Sequence, residues 1–201
     1  MTDGRTERAS RVWEVDVNGP WWTEVDLVEG QGMSPITHAL RPALEVMRIG
    51  VQLWPVANVD NVERLLRGQD GHSPYLLLAV HADGAGLHFL PGSVDRPEGT
   101  SYSVEVLRSV LRVTGRNVIA LGCFAGSTAM TDAFLAAGAT TYVAPRGAPF
   151  AHAAFTFVTL LFFHLTQCHS LEEAIENARA AHPEFEMWQM ATGVPRHLSH
   201  H

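Results

Sequence analysis

The chain is short of cysteine: its 201 residues include two, Cys123 and Cys168. That excludes a disulfide scaffold and points to a reducing, cytoplasmic compartment. Charge is sparse as well, at 17% of residues, and 14 basic against 21 acidic side chains give a formal net charge of −7. No dense Lys/Arg run occurs, so neither a nucleic acid nor an anionic membrane surface has electrostatic support as a partner. Long apolar runs are missing. The longest, Ala153 to Leu165, is interrupted by Thr156, Thr159 and His164, and it falls short of the ~20 residues that a bilayer span needs. The opening MTDGRTERAS has no apolar stretch suited to a secretory signal, and no Asn-x-Ser/Thr acceptor is present.

What is there is a globular composition. Apolar residues make up 46% of a 22.0 kDa chain, and a chain of this size buries roughly 70% of its unfolded surface, enough for one core. Residues 1–10 read as disordered, residues 11–186 as a single domain and residues 187–201 as a His-rich tail. Within the domain, residues 11–46 read as an N-terminal extension and residues 47–181 as the core.

Hydrophobic patterning supplies the elements. Trp13, Val15 and Val17 alternate with acidic residues, Asn18-Gly19-Pro20 is a turn signal, and Val25 and Leu27 alternate with Glu24 and Asp26. That predicts an N-terminal hairpin or two edge strands. Ser34-Pro35 opens a short helix, with Ser34 as cap and Pro42 as its limit. Strands are predicted over 47–54, 75–80, 87–90, 117–121 and 140–144. Helices are predicted over 58–67, 103–113, 127–137, 151–168 and 170–181, the last with a capping box of Ser170 and Glu173. Unalternated apolar strands separated by helices mean a three-layer α/β sandwich with a mostly parallel sheet. Ligands in such sheets bind beyond the carboxyl ends of the strands.

Two of those ends carry reactive side chains. The strand 75–80 runs into His81-Ala82-Asp83-Gly84, and the strand 117–121 runs into Gly122-Cys123-Phe124-Ala125-Gly126-Ser127. A thiol near pKa 8.5 is mostly protonated at neutral pH, and a neighbouring imidazole raises its thiolate fraction. The thiolate attacks a carbonyl, and the imidazolium protonates the leaving amine. The oxyanion needs two preorganised N–H groups, for which Ala82 and Cys123 are the candidates. The helix starting near Ser127 also favours a thiolate through its N-terminal partial charge.

These segments resemble the caspase-like fold of cysteine peptidases, and are most similar to its bacterial CHAT-domain branch. YLLLAVHADGAGLHFLPG resembles the family's His strand and NVIALGCFAGS its Cys strand. The stretch from DAFLAAGA through the long apolar helix to the Ser-capped EA helix resembles the CHAT tail. The likeness covers residues 47–181, with His81 preceding Cys123 by 42 residues, near the roughly 50 given for caspases. The resemblance implies a cysteine endopeptidase with catalytic His81 and Cys123, no cofactor, no metal, a peptide or protein substrate and an activating or regulatory protein partner. It also implies that the loop after the strand following Cys123 shapes the substrate pocket. There Arg146 would receive an acidic side chain, whereas Asp83 would favour a basic one or orient His81. The chain departs from the family at Ala82, where Gly is usual. The caspase pentapeptide is absent, and the short connection after Cys123 implies a single-chain enzyme.

Four other readings compete. A CHAT-like domain without catalysis would be a regulatory or protein-interaction module. A different Cys hydrolase would use a G-x-C-x-G elbow, unmatched at Leu121 and Ala125, with His152, His164 or His169 as base. A metal site at His81, Asp83 and His88 lacks standard ligand spacing. Gly84-x-Gly86 lacks the third glycine of a dinucleotide loop.

Overall fold

The computed structural model describes residues 23–56, 59–90, 100–167 and 169–193. Six strands form the central sheet: β1 (Glu24–Glu29), β2 (Gly50–Pro55), β3 (Tyr75–Ala79), β7 (Asn117–Ala120), β8 (Thr141–Pro145) and β9 (Trp188–Thr192). Their order is β2-β1-β3-β7-β8-β9. The first five are parallel, and β9 returns antiparallel along β8. A small sheet of β4 (His81–Ala82), β5 (Gly86–Leu90) and β6 (Thr100–Ser103) follows β3.

Successive side chains on a strand point to opposite faces, so the unalternated apolar strands feed two cores. Leu76, Leu78 and Val80 pack with Val118 and Ala120 against α2 (Val59–Leu66), α3 (Val104–Val110) and α4 (Thr128–Ala136). Leu77 and Ala79 pack with Ile119 and Val143 against α1 (Ser34–Val46), α5 (Ala151–Thr166) and α6 (Leu171–Ala180). These are the three layers of a mostly parallel α/β sandwich. α6 has the expected capping box between Ser170 and Glu173. Ser103 and Ser127 cap α3 and α4 through their hydroxyls.

Three expectations change. Residues 24–29 are not half of an edge hairpin: β1 lies inside the sheet, parallel to β2 on one side and β3 on the other. The alternation that suggested a half-exposed strand includes Asp26, which is 1% exposed and bonded to Arg116. The hairpin's other half, Trp13 to Val17, lies outside the described residues. β1 and α1 therefore belong to the core that the sequence assigned to residues 47–181. So does β9, which the sequence assigned to the tail; its Trp188 is fully buried and stacks on Phe157, ring centroids 4.5 Å apart. Finally, α1 continues through Pro42 to Val46. Pro42 faces solvent, while Leu40 and Leu44 anchor the helix in the core on either side of it. Ser34 does not cap α1; its hydroxyl donates to Glu29 Oε1 at 2.7 Å.

Candidate functional site at the carboxyl rim of the sheet

β3 and β7 are neighbours in register, Leu78 opposite Ala120. The pairing runs one residue further, with the Leu121 N–H donating to Leu78 O at 3.0 Å. Beyond that point the strands diverge into loops. His81 leaves β3 into the two-residue strand β4 and is exposed, and Cys123 follows β7 by three residues and is half-buried. Gly122 joins the two ends. A Cβ at Gly122 would lie 2.6 Å from Val80 O, 2.7 Å from Ala82 Cβ and 2.9 Å from Ala82 N. The residue before Cys123 thus packs against both chain neighbours of His81, and only glycine permits that approach.

The loop after Cys123 is tightly bonded. The N–H of Phe124 donates to Gly147 O at 2.8 Å, Ala125 to Gly122 O at 3.2 Å, Gly126 to Pro145 O at 2.8 Å and Ser127 to Phe124 O at 3.0 Å. Of the five amides from Cys123 to Ser127, that of Cys123 alone has no acceptor among the described residues. A free N–H at Cys123 is what an oxyanion site built there would require. Ala82 sits in β4 opposite Leu87, with its side chain buried. Phe124 holds a left-handed backbone, φ 56°, which non-glycine residues seldom adopt.

Asp83 closes the β4–β5 loop. Its Oδ1 accepts from the Ala85 N–H at 2.9 Å and the Gly86 N–H at 3.1 Å, and its Oδ2 lies 3.1 Å from His88 Nε2. The Ala85 N–H, aided by His88, holds the Asp83 carboxyl below the usual carboxylate range. His88 stands opposite His81 across the β4–β5 pair, and its Nδ1 is 2.8 Å from the Ser101 hydroxyl. None of Asp83's hydrogen bonds reaches His81. The described residues contain no group of three His, Cys, Asp or Glu side chains placed to hold a metal.

Arg146 follows β8 on the same rim. Its backbone N–H donates to Met187 O at 2.9 Å, and its side chain is exposed. Of the alternative histidines, His152 opens α5 near this rim and stacks on Phe150. His164 lies 12 residues beyond His152 on that helix, about 18 Å at 1.5 Å per residue, and His169 follows the helix end. Burial and the nearby His169 push the His164 imidazole below its ordinary value.

Two features of the rim escaped the sequence. Gly32, at φ 79°, lies where an added Cβ would be 3.4 Å from His81 Nε2. Its loop is tied down by the Gly30 N–H on Ala79 O and the Gln31 N–H on Phe89 O. The other feature is Glu29 at the end of β1, which accepts from the hydroxyls of Ser34 and Thr37 and lies 3.8 Å from His38 Nε2. A Gly30–Ser34 loop signal was legible, but nothing in it indicates that it crosses over His81. The sheet's opposite end has a concavity of about 680 Å³ over Asp26 and Trp54. Asp26 is fully partnered there by Arg116, Trp54 and Ser73, which makes the end structural.

No family model matches the sequence, and no curated protein matches it. Solved structures do share its architecture. A crystal structure of the Saccharomyces cerevisiae separase–securin complex at 3.0 Å superposes with a TM-score of 0.54 at 9% identity, over 86% of this chain and 12% of that chain. A second, at 2.6 Å, gives a TM-score of 0.54 at 8% identity, over 93% of this chain and 13% of that one. The chain therefore spans about an eighth of the length of the chains it matches. A likeness at this identity establishes the fold, a caspase-like α/β sandwich, and nothing finer.

Proposed function

We propose that the chain is a cysteine endopeptidase of the caspase-like class, related to the CHAT branch and working in the cytoplasm without a cofactor. The observation that carries this reading is the packing of Gly122 against Val80 and Ala82, which sets Cys123 and His81 on adjoining loops of one rim. In the proposed cycle the Cys123 thiolate adds to the scissile carbonyl carbon. The N–H groups of Cys123 and Ala82 stabilise the resulting oxyanion. His81 gives its proton to the departing amine as the C–N bond breaks. Water then hydrolyses the thioester, releasing the acid and restoring the thiol. Arg146 flanks the site as a substrate-binding group through its exposed guanidinium, whereas the Asp83 oxygens serve the turn, so Asp83 keeps no substrate-binding role in this cycle. A protein partner delivers the substrate or activates the site.

One observation favours a second reading, a domain of this fold that binds proteins without cutting them. Among the described residues no hydrogen bond holds the His81 ring, so none of their carboxylates orients it as bases in such dyads usually are oriented.

Thiol alkylation across pH with peptide mapping separates the two, Cys168 serving as internal control. A peptidase dyad gives fast Cys123 alkylation at pH 6 that slows in His81→Ala. An ordinary thiol at Cys123, indifferent to His81, leaves the binding module. With reactivity in hand, a positional peptide library reads out Arg146: the absence of any preference for Asp or Glu removes it from the substrate site.

A further inference from the structure

Phe124, next to Cys123, combines exposure with a left-handed backbone. It is 45% exposed, although large and apolar. It also adopts φ 56°, a region that favours glycine and asparagine. A polar residue would suit the exposure, and Gly or Asn would relieve the cost of that backbone conformation. Phe124 gains neither advantage. Its backbone is nonetheless clamped. Its N–H donates to Gly147 O at 2.8 Å, and its carbonyl accepts from the Ser127 N–H at 3.0 Å. The neighbouring loop gives way to it, since a Cβ at Gly84 would lie 3.3 Å from Phe124 Cβ and 3.4 Å from its carbonyl oxygen. The Phe124 backbone is thus held between the loop after β4, through Gly84, and the loop after β8, through the Gly147 carbonyl.

Strain of this kind persists where the surroundings enforce it, and it clusters at ligand sites. Here it fixes a half-exposed ring on the residue adjoining Cys123. We infer that Phe124 is a specificity-determining residue, an aromatic wall that receives an apolar or aromatic side chain of the peptide beside the scissile bond. This rests on Cys123 being the nucleophile. An aromatic partner stacked on the ring leaves water, whereas an acidic or amide side chain there is desolvated without a hydrogen bond. Arg146, across Gly147, keeps its own role for a different side chain of the same peptide.

The test is the ratio of two alkylation rates at Cys123, measured in one protein. One reagent is iodoacetamide, and the other is its N-benzyl derivative, which carries an aromatic group on the same warhead. The wild type is expected to favour the benzyl reagent by about fivefold over the same ratio at Cys168, as an aromatic contact allows. In Phe124→Asn, a residue that tolerates the left-handed backbone, the ratio falls to that of Cys168. In Phe124→Tyr it is restored. An equal ratio in wild type and Phe124→Asn overturns the inference while leaving the nucleophile intact. Slow reaction of wild-type Cys123 with both reagents, no faster than Cys168, overturns the peptidase reading and this inference together.

Discussion

The Ser127 hydroxyl donates to the carbonyl oxygen of Gly84 at 2.8 Å. Ser127 caps α4, the helix that follows Cys123, and Gly84 lies in the loop that follows His81. A single side chain therefore does two things. It caps the start of the helix, taking the Met130 N–H at 3.4 Å, and it links the two rim loops across a sequence separation of 43 residues.

Removing that side chain has two effects that can be measured apart. Ser127→Ala loses the cap, which costs about 1 kcal/mol of stability. It also frees the Gly84 carbonyl and lets the His81 loop move relative to Cys123. Urea denaturation reads the first effect. The second appears as a smaller difference in Cys123 alkylation rate between the Ser127→Ala protein and the same protein also carrying His81→Ala. If His81 contributes as much to alkylation without the Ser127 hydroxyl as with it, the link has no part in pairing the two residues.

The rim was legible in the sequence because its two strands are buried on both faces. Six apolar residues from Tyr75 to Val80 and the run NVIAL admit few alternatives, and each leads to a candidate residue, His81 directly and Cys123 after Gly122. The layout of the layers followed from the same runs. What surrounds the rim was not legible, because it depends on distant contacts. β1 reads as a half-exposed strand until Arg116, 90 residues away, neutralises Asp26. β9 shows no strand pattern, and Trp188 holds it by stacking on Phe157. Nothing in the identity of Phe124 announces a left-handed backbone; the Gly147 carbonyl and the close approach of Gly84 impose it. Asp83 stood beside His81 in the sequence, yet the turn geometry commits its oxygens to Ala85, Gly86 and His88.

The turn at Asp83 makes the His81 loop sensitive to acid. The Ala85 N–H, with a further contribution from His88, lowers the Asp83 carboxyl below its ordinary value. A carboxyl whose folded value is depressed stabilises the fold above its unfolded value, near 3.9, and loses that contribution as pH falls through the folded one. Protection of the Ala85 amide against hydrogen exchange, expressed relative to its intrinsic rate, should therefore hold from neutral pH down to about pH 4 and decline below it. Asp83→Ala should lack that protection throughout the range. Unchanged protection in Asp83→Ala would show that the β4–β5 pairing alone closes the loop.

At the far end of the sheet, the ion pair between Asp26 and Arg116 is nearly sealed, with side chains 2% and 9% exposed. Asp26 also takes the Trp54 indole N–H and the Ser73 N–H, both at 3.0 Å, and Arg116 Nε donates to Ser73 O at 2.9 Å. Gly71, at φ 74°, passes so close that a Cβ there would lie 2.6 Å from Asp26 Oδ2. Desolvation pulls the Arg116 guanidinium below its ordinary value, and Asp26 opposes that shift. Breaking such a pair from one side is far costlier than replacing both members, because the survivor stays buried without its counter-charge. Asp26→Asn should cost about 3–5 kcal/mol, whereas Asp26→Leu combined with Arg116→Met should cost far less or even stabilise the fold. Urea midpoints of the single and double variants test this. A double variant as unstable as the sum of the two singles would mean that the hydrogen bonds to Trp54 and Ser73, and not the charges, hold β1 inside the sheet.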